Sequence, residues 1–184
     1  MERAEGFRVL GIDPGSRVAG YGVLDAPPGA PPKLVACGGI RLGAGELPAR
    51  LKVLHEAVSR LLEEHRPAVL AVETVFHGKS FASVLKVGEA RGVVLLAGAL
   101  AGVQIQQFTP AMVKKAATGN GRAPKSQVQR MIARTLGLGD LPEPADAADA
   151  LAIAFCYSRR AWKIRLGCAP ARAGLTLSRG PGGR

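Results

Sequence analysis

Four acidic residues stand where the chain turns or a helix starts: Asp13, Glu73, Asp146 and Asp149. Asp13 closes the β-rich run FRVLGID just before the turn signal Pro14-Gly15, and Glu73 closes the apolar run AVLAVE. Asp146 and Asp149 lie in PADAADA, where a spacing of i, i+3 puts both on one helix face. Their own segment offers no cation at i+3 or i+4, and flanking alanines leave room for something bulky to approach. Singly, each acid has a structural account. Strand-end acids form turns, and Asp146 and Asp149 fit the N-cap and N3 positions of a helix. Together they make a different pattern, because the chain has only 14 acidic residues and four of them mark element ends. Gathered carboxylates repel unless cations bind between them. Oxygen-only ligation with retained water suits Mg²⁺. A pair of such ions about 4 Å apart can activate water, hold a phosphodiester and stabilise the leaving oxygen.

The charge distribution points to the same substrate class. Lys and Arg number 25 against 14 acids, a net charge of +11. No acid occurs between Ala90 and Gly139, a stretch holding Arg91, Lys114, Lys115, Arg122, Lys125, Arg130 and Arg134, and none follows Asp149. Acid-free basic blocks suit a polyanion such as nucleic acid. Lys125 opens a helix, where the dipole favours an acid; a phosphate arriving at that terminus would account for it. His77, in the loop after Glu73, reads either as polar surface or as a contact to DNA or water.

Other classes are disfavoured. The cysteines Cys37, Cys156 and Cys168 form no CxxC pair and no metal-ligand grouping with histidine. No signal segment is read in Met1–Phe7, and the apolar stretch Gly92–Ile105 is too short to span a bilayer, so a soluble cytoplasmic protein without membrane contact is expected. No GxxxxGK[ST] loop is present.

The elements that must position these residues can be read from periodicity. Phe7–Asp13, Val18–Asp25 and Lys33–Leu42 read as three strands with short connections, an antiparallel meander. Leu47, Leu51, Leu54, Val58, Leu61 and Leu62 recur at helical spacing, and Pro67 ends that helix. Ala68–Val72 reads as a strand buried on both faces. If it lies parallel to the first strand, Asp13 and Glu73 meet at one sheet edge, where ligands gather in open α/β sheets. A helix from about Phe81 to Leu100, a strand near Val103–Gln107, and a helix introduced by Thr109-Pro110 follow. The glycine-rich basic loop Thr118–Pro124 leads to a helix over Lys125–Leu136, and a last helix runs from near Pro144 to about Arg160. The class is α/β: a mixed five-stranded sheet, a three-strand antiparallel meander plus parallel strands, with helices on both faces. One domain over 1–160 and a mobile basic tail over 161–184 are expected. The run GVVLLAGALAG is apolar on every side and is expected to be wholly buried, preferably in a two-fold interface.

Five segments, GIDPGSRVAGYGV, AVETVFHGKS, LKVGEARGV, VKKAATGNGRAPKSQV and ADAADALAIA, stand in this order between Gly11 and Ala154. In that order they resemble the RuvC family of Holliday junction resolvases. The resemblance implies a ribonuclease H-like fold and a homodimer that resolves four-way DNA junctions by paired symmetric nicks in recombination and repair. It implies a Mg²⁺-dependent endodeoxyribonuclease with two ions per subunit, Mn²⁺ as a substitute, and 5′-phosphate and 3′-hydroxyl products. The family's acidic quartet falls on Asp13, Glu73, Asp146 and Asp149; some relatives carry His at the third position. Its functional lysines fall on Lys114 and Lys125, its base-stacking aromatic on Phe76, and Arg122 of the same basic loop joins the DNA contacts. Branch-migration proteins are the implied partners. Two readings stay open beside this one: a ribonuclease H-like nuclease acting on another nucleic acid, and a junction-binding protein that does not cut.

Overall fold

The computed structural model describes residues 6–27, 29–74 and 81–165. The elements follow in the order β1 (Phe7–Asp13), β2 (Val18–Ala26), β3 (Lys33–Arg41), α1 (Leu47–His65), β4 (Val69–Glu73), α2 (Phe81–Leu100), β5 (Gln104–Phe108), α3 (Pro110–Thr118), α4 (Lys125–Thr135) and α5 (Ala145–Arg165). The sheet order is β3-β2-β1-β4-β5. The meander β1-β2-β3 is antiparallel, and β4 and β5 join β1 in parallel. Both features match the sequence reading, including the parallel neighbourhood of the first and fourth strands.

Side chains alternate across a strand, so each strand feeds two cores. Leu10 and Ile12 of β1, Val23 of β2, and Leu70 and Val72 of β4 pack beneath α1 and α2 with Leu54, Val58 and Val94. Val9, Leu24, Ala71 and Phe108 face the opposite way, against Val113, Val128, Ile132, Leu151 and Ile153 of α3, α4 and α5. Helices thus cover both faces. Each large aliphatic side chain buried here contributes about 2 kcal/mol.

Two readings need correction. α5 runs to Arg165 rather than stopping near Arg160, so the helix enters the segment read as tail; residues 166–184 lie outside the described residues. α5 begins at Ala145, with Asp146 already inside its first turn, so Asp146 is not the N-cap. The expected burial of α2, preferably in a two-fold interface, is met only in part by the single chain: Ala90, Val94 and Ala97 are buried, whereas Leu96 is 52% and Leu100 70% exposed. The 3.6-residue period gives α2 an inward face and an outward one, and this chain covers only the first. Among the described residues no helix is long and apolar enough to cross a membrane.

Candidate functional site

Strand parity decides where the first two acids point. Gly11 pairs with Ala71 and Ile12 with Val72 in parallel register. One step further along, Asp13 and Glu73 end their strands side by side. Asp13 shares parity with Val9, and Glu73 with Ala71, both in the core beneath α5; the two carboxylates therefore rise on the α5 face. The chain leaving each strand is pinned. The Arg50 guanidinium donates to the Ser16 carbonyl at 2.5 Å, in the turn after Asp13. Beyond Glu73, the Thr74 N–H donates to the Phe108 carbonyl at 2.8 Å.

The other two acids arrive on α5, seated on a floor of glycines. A Cβ at Gly20, the residue paired with Asp13, would lie 1.9 Å from the Asp146 carbonyl oxygen. A Cβ at Gly11 would lie 2.2 Å from the carbonyl oxygen of Ala150. Only hydrogen fits at these positions, so main chain rests on main chain. This close approach brings one oxygen each of Asp13, Asp146 and Asp149 within 4.8 Å of one another. All three side chains are half-buried, and Glu73 lies near enough for the Asp13 and Asp149 charges to bear on it.

The electrostatics are those of crowded acids. Burial, reinforced by the charges of Asp149 and Asp146, pushes the Asp13 carboxyl up to about 6 against the pull of Lys125. Burial and then the charges of Asp13 and Asp149 push Glu73 up to about 7, with Lys114 and Lys125 opposing. Lys125, the first residue of α4, forms an ion pair with Asp149 Oδ2. Burial disfavours its charge, but the bond to Asp149 and the surrounding carboxylates outweigh that and raise its pKa. The anion that this helix-start lysine meets is thus a carboxylate of the cluster, where the sequence suggested phosphate. Asp149 Oδ1 accepts a hydrogen bond from Gln129 Nε2 at 3.3 Å. Gln129 escaped the sequence reading, although its i, i+4 spacing from Lys125 placed both on one face of α4. The glycine floor escaped it as well.

The basic residues line the approach. Lys114, on α3, is half-buried and lowers the pKa of Glu73 through its charge. α3 ends at Gly119 in the left-handed conformation, φ 81°. Asn120 Oδ1 then accepts from the Arg122 N–H at 2.9 Å, shaping the loop that leads to Lys125. Arg122 is exposed, with no ion pair among the described residues. Phe76 and His77 lie outside the described residues.

The cluster suits a hard divalent cation, since its donors are oxygen alone. Oxygens on opposite sides of Mg²⁺ sit about 4 Å apart, and the cluster's three oxygens lie within 4.8 Å of one another.

Known proteins match this chain over most of its length. The family model described as Crossover junction endodeoxyribonuclease RuvC matches residues 9–157. The Crossover junction endodeoxyribonuclease RuvC of Moorella thermoacetica is 46% identical over 160 residues, covering 85% of this chain and 95% of that protein. Among solved structures, T. thermophilus RuvC in complex with Holliday junction substrate superposes with a TM-score of 0.79 at 34% identity, covering 88% of this chain and 97% of that one. The crystal structure of the yeast mitochondrial Holliday junction resolvase matches in fold, with a TM-score of 0.67 at 14% identity over 89% of this chain and 81% of that one. The sheet order, the carboxylate cluster on its α5 face and these matches over nearly the whole described chain place the protein in the RuvC family of crossover junction endodeoxyribonucleases.

Proposed function

We propose that this endonuclease resolves four-way DNA junctions with Asp13, Glu73, Asp146 and Asp149 as its metal-holding catalytic groups. The observation that carries the assignment is the convergence of three carboxylates from a strand end and a helix start within 4.8 Å, with Glu73 beside them. The family and this cluster imply a divalent metal; two Mg²⁺ per subunit, replaceable by Mn²⁺, is the finer reading. Bound cations supply water activation and charge neutralisation at the phosphate.

The chain's own residues do the rest. Asp13, whose carboxylate lies within 4.8 Å of those of Asp146 and Asp149, would be a ligand to the bound cations. Glu73, Asp146 and Asp149 would supply the remaining carboxylate ligands. Lys125 and Lys114 bind the scissile phosphate or its neighbours, and Arg122 holds the backbone further out. Phe76, three positions after Glu73 in the sequence, stacks on an unpaired base at the crossover, a contact worth about 1–3 kcal/mol.

A dimer supplies the second, opposed cut. Leu85, Leu96 and Leu100 are exposed on α2 at 54%, 52% and 70%, and Gly88 and Gly92 open onto free space. This apolar stripe with small residues between its leucines suits a two-fold helix contact.

The test is a labelled four-way junction incubated with protein and Mg²⁺, beside plain duplex, single strands and RNA–DNA hybrid. Paired nicks in the junction alone are expected, with Asp149→Asn inactive yet still binding the junction. Equal cutting of the hybrid would favour the broader nuclease reading, and unchanged cutting by Asp149→Asn would remove the carboxylate assignment.

A further inference from the structure

We propose that Gln129 is a positioning residue of the metal cage, fixing the Asp149 carboxylate and the first turn of α5 without neutralising either. This rests on the reading of Asp149 as a metal ligand. The Gln129 amide nitrogen donates to Asp149 Oδ1 at 3.3 Å and to the Ala145 carbonyl at 3.4 Å. Ala145 is the first residue of α5 and Asp149 its fifth, so one half-buried amide ties α4 to the start of α5 and to the carboxylate one turn on. The two oxygens of Asp149 are held by different kinds of partner. Lys125 takes Oδ2 with a full positive charge, and a cation entering the cage must displace it. Gln129 takes Oδ1 with a neutral dipole, which does not compete with a cation and can stay in place as it binds. Polar groups that orient ligand side chains without touching the metal commonly set metal affinity. The residue type matters. Glutamate at 129 would repel the cluster, and lysine would neutralise the ligand it should orient. Methionine would keep the stem's packing and lose the donor. A mere tie between α4 and α5 would influence stability, with no separate effect on cation binding.

The experiment follows Mn²⁺ binding to the full chain by electron paramagnetic resonance of the free ion, with melting temperature measured alongside. Gln129→Met should weaken Mn²⁺ binding about tenfold with a melting temperature lower by at most a few degrees, and Gln129→Lys should weaken it further. Parent-like Mn²⁺ binding by Gln129→Met would overturn the proposal, as would weakening seen only where the variant is partly unfolded at the assay temperature. Asp149→Asn serves as the control. If it weakens binding while Gln129→Met does not, Gln129 alone is misassigned; if it too binds like the parent, the metal-cage reading fails.

Discussion

Asp13 and Glu73 keep protons that ordinary carboxylates surrender, and this sets the pH behaviour of the metal-free protein. Their folded pKa values, about 6 and about 7, stand above the ordinary 3.8 and 4.5. The folded chain therefore binds more protons than the unfolded chain between about pH 4 and 7, and stability falls as pH rises through that window. With chelator present, Glu73→Gln should be more stable than the parent at pH 8 by about 2 kcal/mol, and no more stable at pH 4. Urea unfolding at the two pH values checks this; equal stability of parent and variant at pH 8 would refute the shift. Cations must displace these protons, so Mn²⁺ affinity should drop as pH falls below 7, with proton release detectable by calorimetry in buffers of different ionisation heat. The acids were legible in the sequence because each sits at a turn or in an i, i+3 pair. The Lys125–Asp149 pair was not, since it joins α4 to α5 across 24 positions of sequence and leaves no local period.

Among the elements, the seat of α5 on β1 and β2 governs how closely the acids gather. The atoms that a Cβ at Gly20 would strike are the Asp146 carbonyl oxygen at 1.9 Å and carbon at 2.3 Å. Neither can swing aside as a side chain would, so the whole helix must lift. Gly20→Ala should cost about 1–3 kcal/mol of stability and slow junction cutting at saturating Mg²⁺ by about 100-fold. A melting curve and single-turnover kinetics test both, and parent-like cutting would show that the cage tolerates a shifted helix. Sequence reading registers a glycine in a strand as a weak spot. Its use here emerges only once β1 and β2 lie side by side with a helix across them. Strand order was easier to anticipate, because short loops enforce the meander and the unbroken apolar run of β4 demands cover on both faces.

For the molecule as a whole, the outward stripe of α2 matters most. Sequence marked the run as buried, preferably at a two-fold interface, but could not say which of its residues face the sheet and which face outward, because a run apolar on every side carries no period. Leu96→Glu should leave the subunit folded, as Leu96 is already 52% exposed in the single chain, but should shift the protein to monomer in analytical ultracentrifugation. Its nicks on a cruciform plasmid should then fall on single strands and leave open circles in place of linear product. A variant that stays dimeric would move the interface elsewhere.

The ion pair of Lys125 with Asp149 reaches further than its own geometry. On the proposed roles, one lysine faces two anions, a carboxylate that a cation would claim and a phosphate that DNA would bring. Opening the pair serves both arrivals, so their binding equilibria are linked. Linkage is reciprocal: whatever factor the junction adds to cation affinity, the cation must add to junction affinity. In those roles Lys125 would make the cage sensitive to whether a substrate is present, favouring a fully charged site when there is a backbone to cut.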